Sequence, residues 1–147
     1  MDSFMDLALA EAAKAATAGE VPVGAVLVDG ATREVIASAH NRVEAEGDPL
    51  AHAELLVLKA GITARGGRLQ GCDLYVTLEP CAMCAGAVAH ARIRRLYYGA
   101  DDPKGGGVAH GARVFAQPTC HHKPEVYGGI GAAPAAKLLR DFFQARR

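Results

Sequence analysis

Apolar and polar positions along the chain alternate in short blocks with two periods. From Phe4 to Ala18 the chain is rich in Ala, Leu and Lys, all good helix formers. Phe4, Leu7, Ala8, Glu11 and Ala15 recur there at helical spacing, and Gly19 supplies a stop. Val21 to Val28 is β-branched and apolar, which predicts a buried strand. Asp29-Gly30 signals a turn, and Glu34 to His40 reads as a second strand, so the two form a hairpin. Gly47-Asp48-Pro49 reads as a loop. Ala51 to Ala60 is a helical run with Leu55, Leu56 and Leu58 on its buried side and Gly61 as its stop. Arg65 to Gly71 is a polar, glycine-rich loop, and Asp73 to Leu78 a strong strand. After Pro80, Cys81 to Ala91 is an alanine-rich helix and Ile93 to Gly99 a further strand. Asp101 to Gly107 is a glycine-rich loop. Val108 to Gly131 shows no sustained period, with a short strand near Glu125 to Tyr127. Pro134 to Arg146 forms an amphipathic helix using Leu138, Leu139, Phe142 and Phe143. Strands alternating with helices predict a layered α/β domain. With no repeat, linker or low-complexity tract, residues 1–147 read as a single domain.

Composition narrows the class. Of 147 residues, 50% are hydrophobic and 22% charged, which excludes general disorder. A chain this long buries roughly two-thirds of its unfolded surface and needs no disulfide framework. The longest apolar stretch, near Val21 to Val28, is far shorter than the ~20 residues that span a bilayer. Met1 to Asp6 carries acids and no Lys or Arg, unlike a secretory signal. The expectation is a soluble, cytoplasmic protein with no membrane partner. The four cysteines then face a reducing compartment, where thiols bind metal or act chemically more often than they pair.

Two short segments concentrate the chemistry. His52-Ala53-Glu54 opens one predicted helix, and Pro80-Cys81-Ala82-Met83-Cys84 opens another. Cys81 and Cys84 are three apart, so they share a helix face. In a first turn, the free N–H groups and the helix dipole favour thiolates. Thiolate and imidazole are the ligands zinc prefers, and His52 supplies the third. Three protein ligands leave a coordination position open for water, the arrangement of catalytic rather than structural zinc sites. Glu54, two residues beyond His52, points to another side of the same tip, where a general base belongs. A lone Cys-x-x-Cys also suits a structural metal site, a redox pair or chance, but a redox pair leaves His52 and Glu54 unexplained. His-x-Glu followed about 25 residues on by Pro-Cys-x-x-Cys is the signature of zinc deaminases acting on adenine or cytosine.

The sequence resembles the cytidine-deaminase superfamily and, within it, the bacterial tRNA adenosine deaminase family over nearly its whole length. Glu20-Val21-Pro22-Val23-Gly24-Ala25-Val26 is similar to that family's first strand, and Asp48-Pro49 before His52-Ala53-Glu54 to the start of its second helix. Leu74 to Ala87, Leu-Tyr-Val-Thr-Leu-Glu-Pro-Cys-Ala-Met-Cys-Ala-Gly-Ala, is close to its core motif, and Leu139-Arg140-Asp141-Phe142-Phe143 to its last helix. The resemblance implies a three-layer α/β/α cytidine-deaminase-like fold, its central mixed sheet of about five strands flanked by helices. It also implies one zinc per subunit, a homodimer, and conversion of adenosine to inosine at the anticodon wobble position, with tRNA-Arg expected. Asn41 matches a residue that contacts the target nucleoside. Asp102 and Lys104 match a loop lining the nucleic-acid groove. Phe143 and Arg146 fall where the family packs against the anticodon arm. The chain departs from the family at Cys120-His121-His122-Lys123, where an Asn-His-Arg triplet is common, and in the segment Ala109 to Gln117. Cys120, His121 and His122 raise the question of a second metal site, which adjacent residues rarely form. Cys72 is expected to pack near a strand start.

Charge bears on the partner. The formal net charge is zero, but residues 1–73 hold six Lys+Arg against eleven Asp+Glu, and residues 74–147 hold ten against five. A basic C-terminal half suits phosphate contacts. A wobble base in a loop is poorly stacked and flips out at low cost. The expected chemistry is attack of activated water on C6 of adenine, with Glu54 passing the water's proton to N1. Two other readings share the motif: a free-base or nucleoside deaminase acting on guanine or cytosine, and a non-catalytic zinc-containing RNA-binding protein. The second of these has no use for Glu54.

Overall fold

Helical and extended segments fall largely where the periodicity places them in a computed structural model that describes residues 3–146. Helix α1 (Phe4–Thr17) opens on a reciprocal cap: the Ser3 hydroxyl accepts from the Asp6 N–H at 3.1 Å, and the Asp6 carboxylate accepts from the Ser3 N–H at 3.0 Å. Strands β1 (Gly24–Asp29) and β2 (Val35–His40) form the hairpin. A short helix α2 (Val43–Glu46), α3 (Ala53–Arg65), β3 (Cys72–Leu78), α4 (Ala82–Ala91), β4 (Arg95–Ala100), β5 (Glu125–Tyr127) and α5 (Ala132–Gln144) follow.

The five strands lie in the order β2-β1-β3-β4-β5. β1 is antiparallel to β2 and β3, while β3, β4 and β5 run parallel, so the sheet is mixed. On one face Ala25, Leu27, Leu74, Val76, Leu96 and Tyr98 meet Val57, Leu58, Ala85 and Val88 of α3 and α4. On the other, Val26, Val28 and Tyr75 meet Met5 and Ala8 of α1. Helix α5 packs beside α1 and against β4, completing three layers.

Some boundaries differ from the sequence expectation. The α3 helix runs through Gly61 to Arg65 instead of stopping. Gly61 is there for a close approach: a Cβ at this position would run into Leu27 Cδ2 and come within 3.3 Å of Leu69. The helix buries Val57 and Leu58, while Leu55 and Leu56 are only half-buried. Cys81 is the residue before α4 rather than its first helical residue. β1 begins at Gly24, β4 at Arg95, and α5 covers Ala132–Gln144. Helix α2, unforeseen, is held by a distant side chain described below. Cys72 is buried at the start of β3, where it was expected.

Candidate metal centre and active site

Helices α3 and α4 lie side by side on one sheet face, so their N-terminal tips come together beyond the end of β3. His52 caps α3 from an extended backbone (φ −76, ψ 145), and Cys81 does the same for α4 (φ −69, ψ 173). His52 Nδ1 lies 3.5 Å from Cys84 Sγ and 3.7 Å from Cys81 Sγ, and the three ligand atoms lie within 4.8 Å of one another. Tetrahedral zinc, with bonds of about 2.3 Å to sulfur and 2.0–2.1 Å to nitrogen, sets such atoms about 3.5 Å apart. The donor set and its spacing therefore fit zinc. The Cys84 thiol, together with the first-turn N–H groups of α4 and the His52 imidazole, draws Cys81 down to about 5 despite its partial burial. The same contact with Cys81, reinforced by burial and the Glu54 carboxylate, holds the Cys84 thiol up.

Glu54 is 4% exposed. Burial, seconded by the neighbouring Cys81 charge, raises its carboxyl to about 7. A group poised there can hold and release a proton near neutral pH.

Asn41 pins the α3 tip. Its Oδ1 accepts from the Ala53 N–H at 2.9 Å, and its Nδ2 donates to the Val21 carbonyl at 3.2 Å. It thereby caps α3, a service the His52 side chain does not perform.

These residues border a cavity of about 690 Å³, large enough for more than one nucleoside unit. His52, Glu54, Cys81, Asn41, Asp102 and Arg146 all line it. Three residues singled out from the sequence do not, the fully buried Cys84 among them. Lys104 is exposed on the loop between its lining neighbours Asp102 and Gly105. Phe143 is 47% exposed, and Phe142 takes the place at the wall. The Phe142 ring carries the Arg146 guanidinium 3.5 Å above its centre.

Sequence reasoning passed over two buried acids that also line the cavity. Glu20 accepts from the Glu44 and Ala45 N–H groups at 2.9 and 2.8 Å and so caps α2. Glu79, at the end of β3, receives N–H groups from the loop after β4. Burial alone would raise its carboxyl, but these bonds and one to His110 hold it below the usual carboxylate range. The one signal available was an acid wedged between Leu78 and Pro80-Cys81.

Cys120, His121 and His122 do not gather into a metal-holding group among the described residues. Cys120 Sγ donates to the His122 carbonyl at 3.2 Å, and His122 Nε2 donates to the Ile93 carbonyl at 2.6 Å, tying the segment to the turn before β4.

The chain matches the family model for the cytidine and deoxycytidylate deaminase zinc-binding region over residues 1–100. It is 56% identical over 146 residues to the tRNA-specific adenosine deaminase of Agrobacterium fabrum, covering 98% of this chain and 94% of that protein. It is 43% identical over 144 residues to the enzyme of the same description from Rickettsia felis, covering 97% and 100%. A solved structure from a study of A-to-I editing by tRNA:A34 deaminases at the wobble position of transfer RNA superposes with a TM-score of 0.89. That match has 55% sequence identity and covers 92% of this chain and 98% of the other.

Proposed function

Because this chain belongs to the tRNA-specific adenosine deaminase family of zinc-dependent deaminases, we propose that it converts adenosine to inosine at the wobble position of a tRNA anticodon, with tRNA-Arg the expected substrate. The observation that carries this reading is the buried Glu54 beside the His52, Cys81 and Cys84 ligand atoms, at the wall of one large cavity.

His52, Cys81 and Cys84 would hold the zinc, which would supply a Lewis-acid centre that makes water nucleophilic near neutral pH. Glu54 takes a proton from the attacking water and delivers it to N1 of adenine. It then assists departure of the 6-amino group as ammonia, so water and adenosine give inosine and ammonia. Asn41, already fixed by two backbone bonds, contacts the target nucleoside from a rigid position. Asp102 and Arg146 border the same cavity and contact the anticodon arm, while Lys104 and Phe143 meet RNA outside it. The basic residues of positions 74–147 supply phosphate contacts, so binding weakens as salt rises. No described helix is long and apolar enough to cross a membrane. Action in the cytoplasm and a homodimer complete the proposal, the latter tested by sedimentation.

The deciding experiment incubates the purified protein with a tRNA-Arg anticodon stem-loop and with free guanine and cytosine, and measures inosine, ammonia and zinc content. Inosine at the wobble position with one zinc per chain is expected. Turnover of free bases alone overturns the reading.

A further inference from the structure

Glu79 takes no part in the proton transfers above, yet it is the most heavily bonded side chain at the cavity. Its side chain is fully shielded from solvent. Oε1 accepts from the Asp102 N–H at 3.0 Å and from His110 Nδ1 at 2.7 Å. Oε2 accepts from the N–H groups of Val108, Ala109 and His110 at 3.1, 3.0 and 3.1 Å. Both ends of the loop after β4 therefore close on one carboxylate.

The backbone repeats the connection. The Glu79 N–H donates to the Ala100 carbonyl at 2.8 Å, and the Gly107 N–H donates to the Pro80 carbonyl at 2.8 Å. Gly106 and Gly107 permit the approach. A Cβ on Gly106 would run into Glu79 Oε2 and come within 2.6 Å of the Asp102 carbonyl oxygen. A Cβ on Gly107 would come within 2.5 Å of the Ala82 nitrogen. The loop pinned in this way contributes Asp102 and Gly105 to the cavity wall, and Cys81 lies two residues beyond Glu79.

We propose that Glu79 is a positioning residue that fixes the 102–110 loop against the metal-ligating turn and so sets how the substrate seats, without touching the reacting atoms. The kinetic part of this inference rests on the proposed deaminase reading; the anchoring part does not. A carboxylate offers two acceptor oxygens to five donors. Glutamine offers one oxygen and adds a donor amide, so the Asp102 N–H loses its partner if the amide takes the Oε1 place, and the Val108, Ala109 and His110 N–H groups lose theirs if it takes the Oε2 place. Aspartate keeps both oxygens on a shorter stem.

The test compares the full-length wild type with Glu79→Gln, Glu79→Asp and Gly106→Ala, by amide hydrogen exchange, zinc analysis and steady-state kinetics on the anticodon stem-loop. In Glu79→Gln, exchange at residue 102 or at residues 108–110, whichever end loses its oxygen, should speed about tenfold, with β3 and β4 amides unchanged. KM for RNA should rise about tenfold with kcat within about twofold and zinc retained, since a misplaced wall weakens seating rather than chemistry. Glu79→Asp should recover part of the KM, and Gly106→Ala should reproduce the Glu79→Gln pattern, carrying the test if Glu79→Gln does not fold. Unchanged loop exchange, loss of zinc, or a fall in kcat at constant KM would each overturn the proposal. A wild type that forms no inosine would instead overturn the functional reading, leaving the exchange results to judge the anchor.

Discussion

His52, Glu54, Cys81 and Cys84 stand at the tips of helices pressed onto the sheet by Val57, Leu58, Ala85 and Val88. At the same cavity, Asp102 and Gly105 stand on a loop without regular structure, held chiefly by hydrogen bonds to the buried Glu79 carboxylate. The tips draw their placement from many weak apolar contacts, each replaceable. The loop draws its placement from a few directional bonds, each of which matters. One cavity thus has a wall that tolerates repacking and a wall that tolerates little chemical change. In the proposed function the first carries the reaction, and the second shapes what reaches it.

Substitutions can break this contrast at graded depths. The largest effect is expected from Cys84→Ala: zinc content and turnover should both fall to background, because two ligands do not retain a catalytic ion. Elemental analysis of the purified variant checks it. Next, Glu54→Gln should lower kcat by about 10²–10⁴-fold while zinc stays at wild-type content. A variant with undiminished turnover would remove Glu54 from the mechanism. Gly61→Ala probes how α3 sits on the sheet. Helix propensity favours alanine by about 1 kcal/mol, but the fully buried Leu27 must give way. Overpacking should win, leaving a net loss of about 1–2 kcal/mol in chemical denaturation.

Away from the cavity, at the turn before β4, His122→Ala leaves the Ile93 carbonyl without its donor. A loss of about 1 kcal/mol is expected, with zinc and kcat unchanged. The smallest effect belongs to Asp29, far from the cavity, where N–H groups of Thr32 and Ala31 and the Arg65 guanidinium hold the carboxyl down to about 2. Because the folded value is depressed, the stabilisation is present above the ordinary carboxylate value of 3.8 and is lost as pH falls through about 2. Melting temperatures of wild type and Asp29→Asn should therefore differ slightly at neutral pH and converge in acid.

The two walls also differ in how far the sequence reveals them. Cys81 and Cys84 announce a shared face by being three apart, and His52 with Glu54 announces a helix tip, because helix geometry is local. The existence and approximate extent of the strands followed from the same blocks of periodicity, whereas their order and direction, beyond the first hairpin, did not. Gly61 misled because a glycine that ends a helix and a glycine that admits Leu27 of another strand look alike in one dimension. Glu20 lies far up the chain from the helix it caps, and nothing in Val43–Glu46 itself predicts a helix there. Phe142 and Phe143 both satisfy the amphipathic pattern. Only the packing of α5 against β4 and α1 turns Phe142 to the cavity and Phe143 outward.

Residue type and short spacing were enough to single out His52, Cys81 and Cys84 as the proposed zinc ligands and Glu54 as the proposed proton-transfer group, and to predict the alternating α/β layers. Those properties depend on interactions within a turn or two, whose geometry every L-peptide shares. The cavity's outline was decided by the tertiary structure: which side of α5 it meets, where Asn41 anchors, and how the loop after β4 folds back onto Glu79. These depend on parallel pairing of β3 with β4, which brings Glu79 beside a loop more than twenty residues onward. A buried carboxylate finds its donors only once that pairing exists.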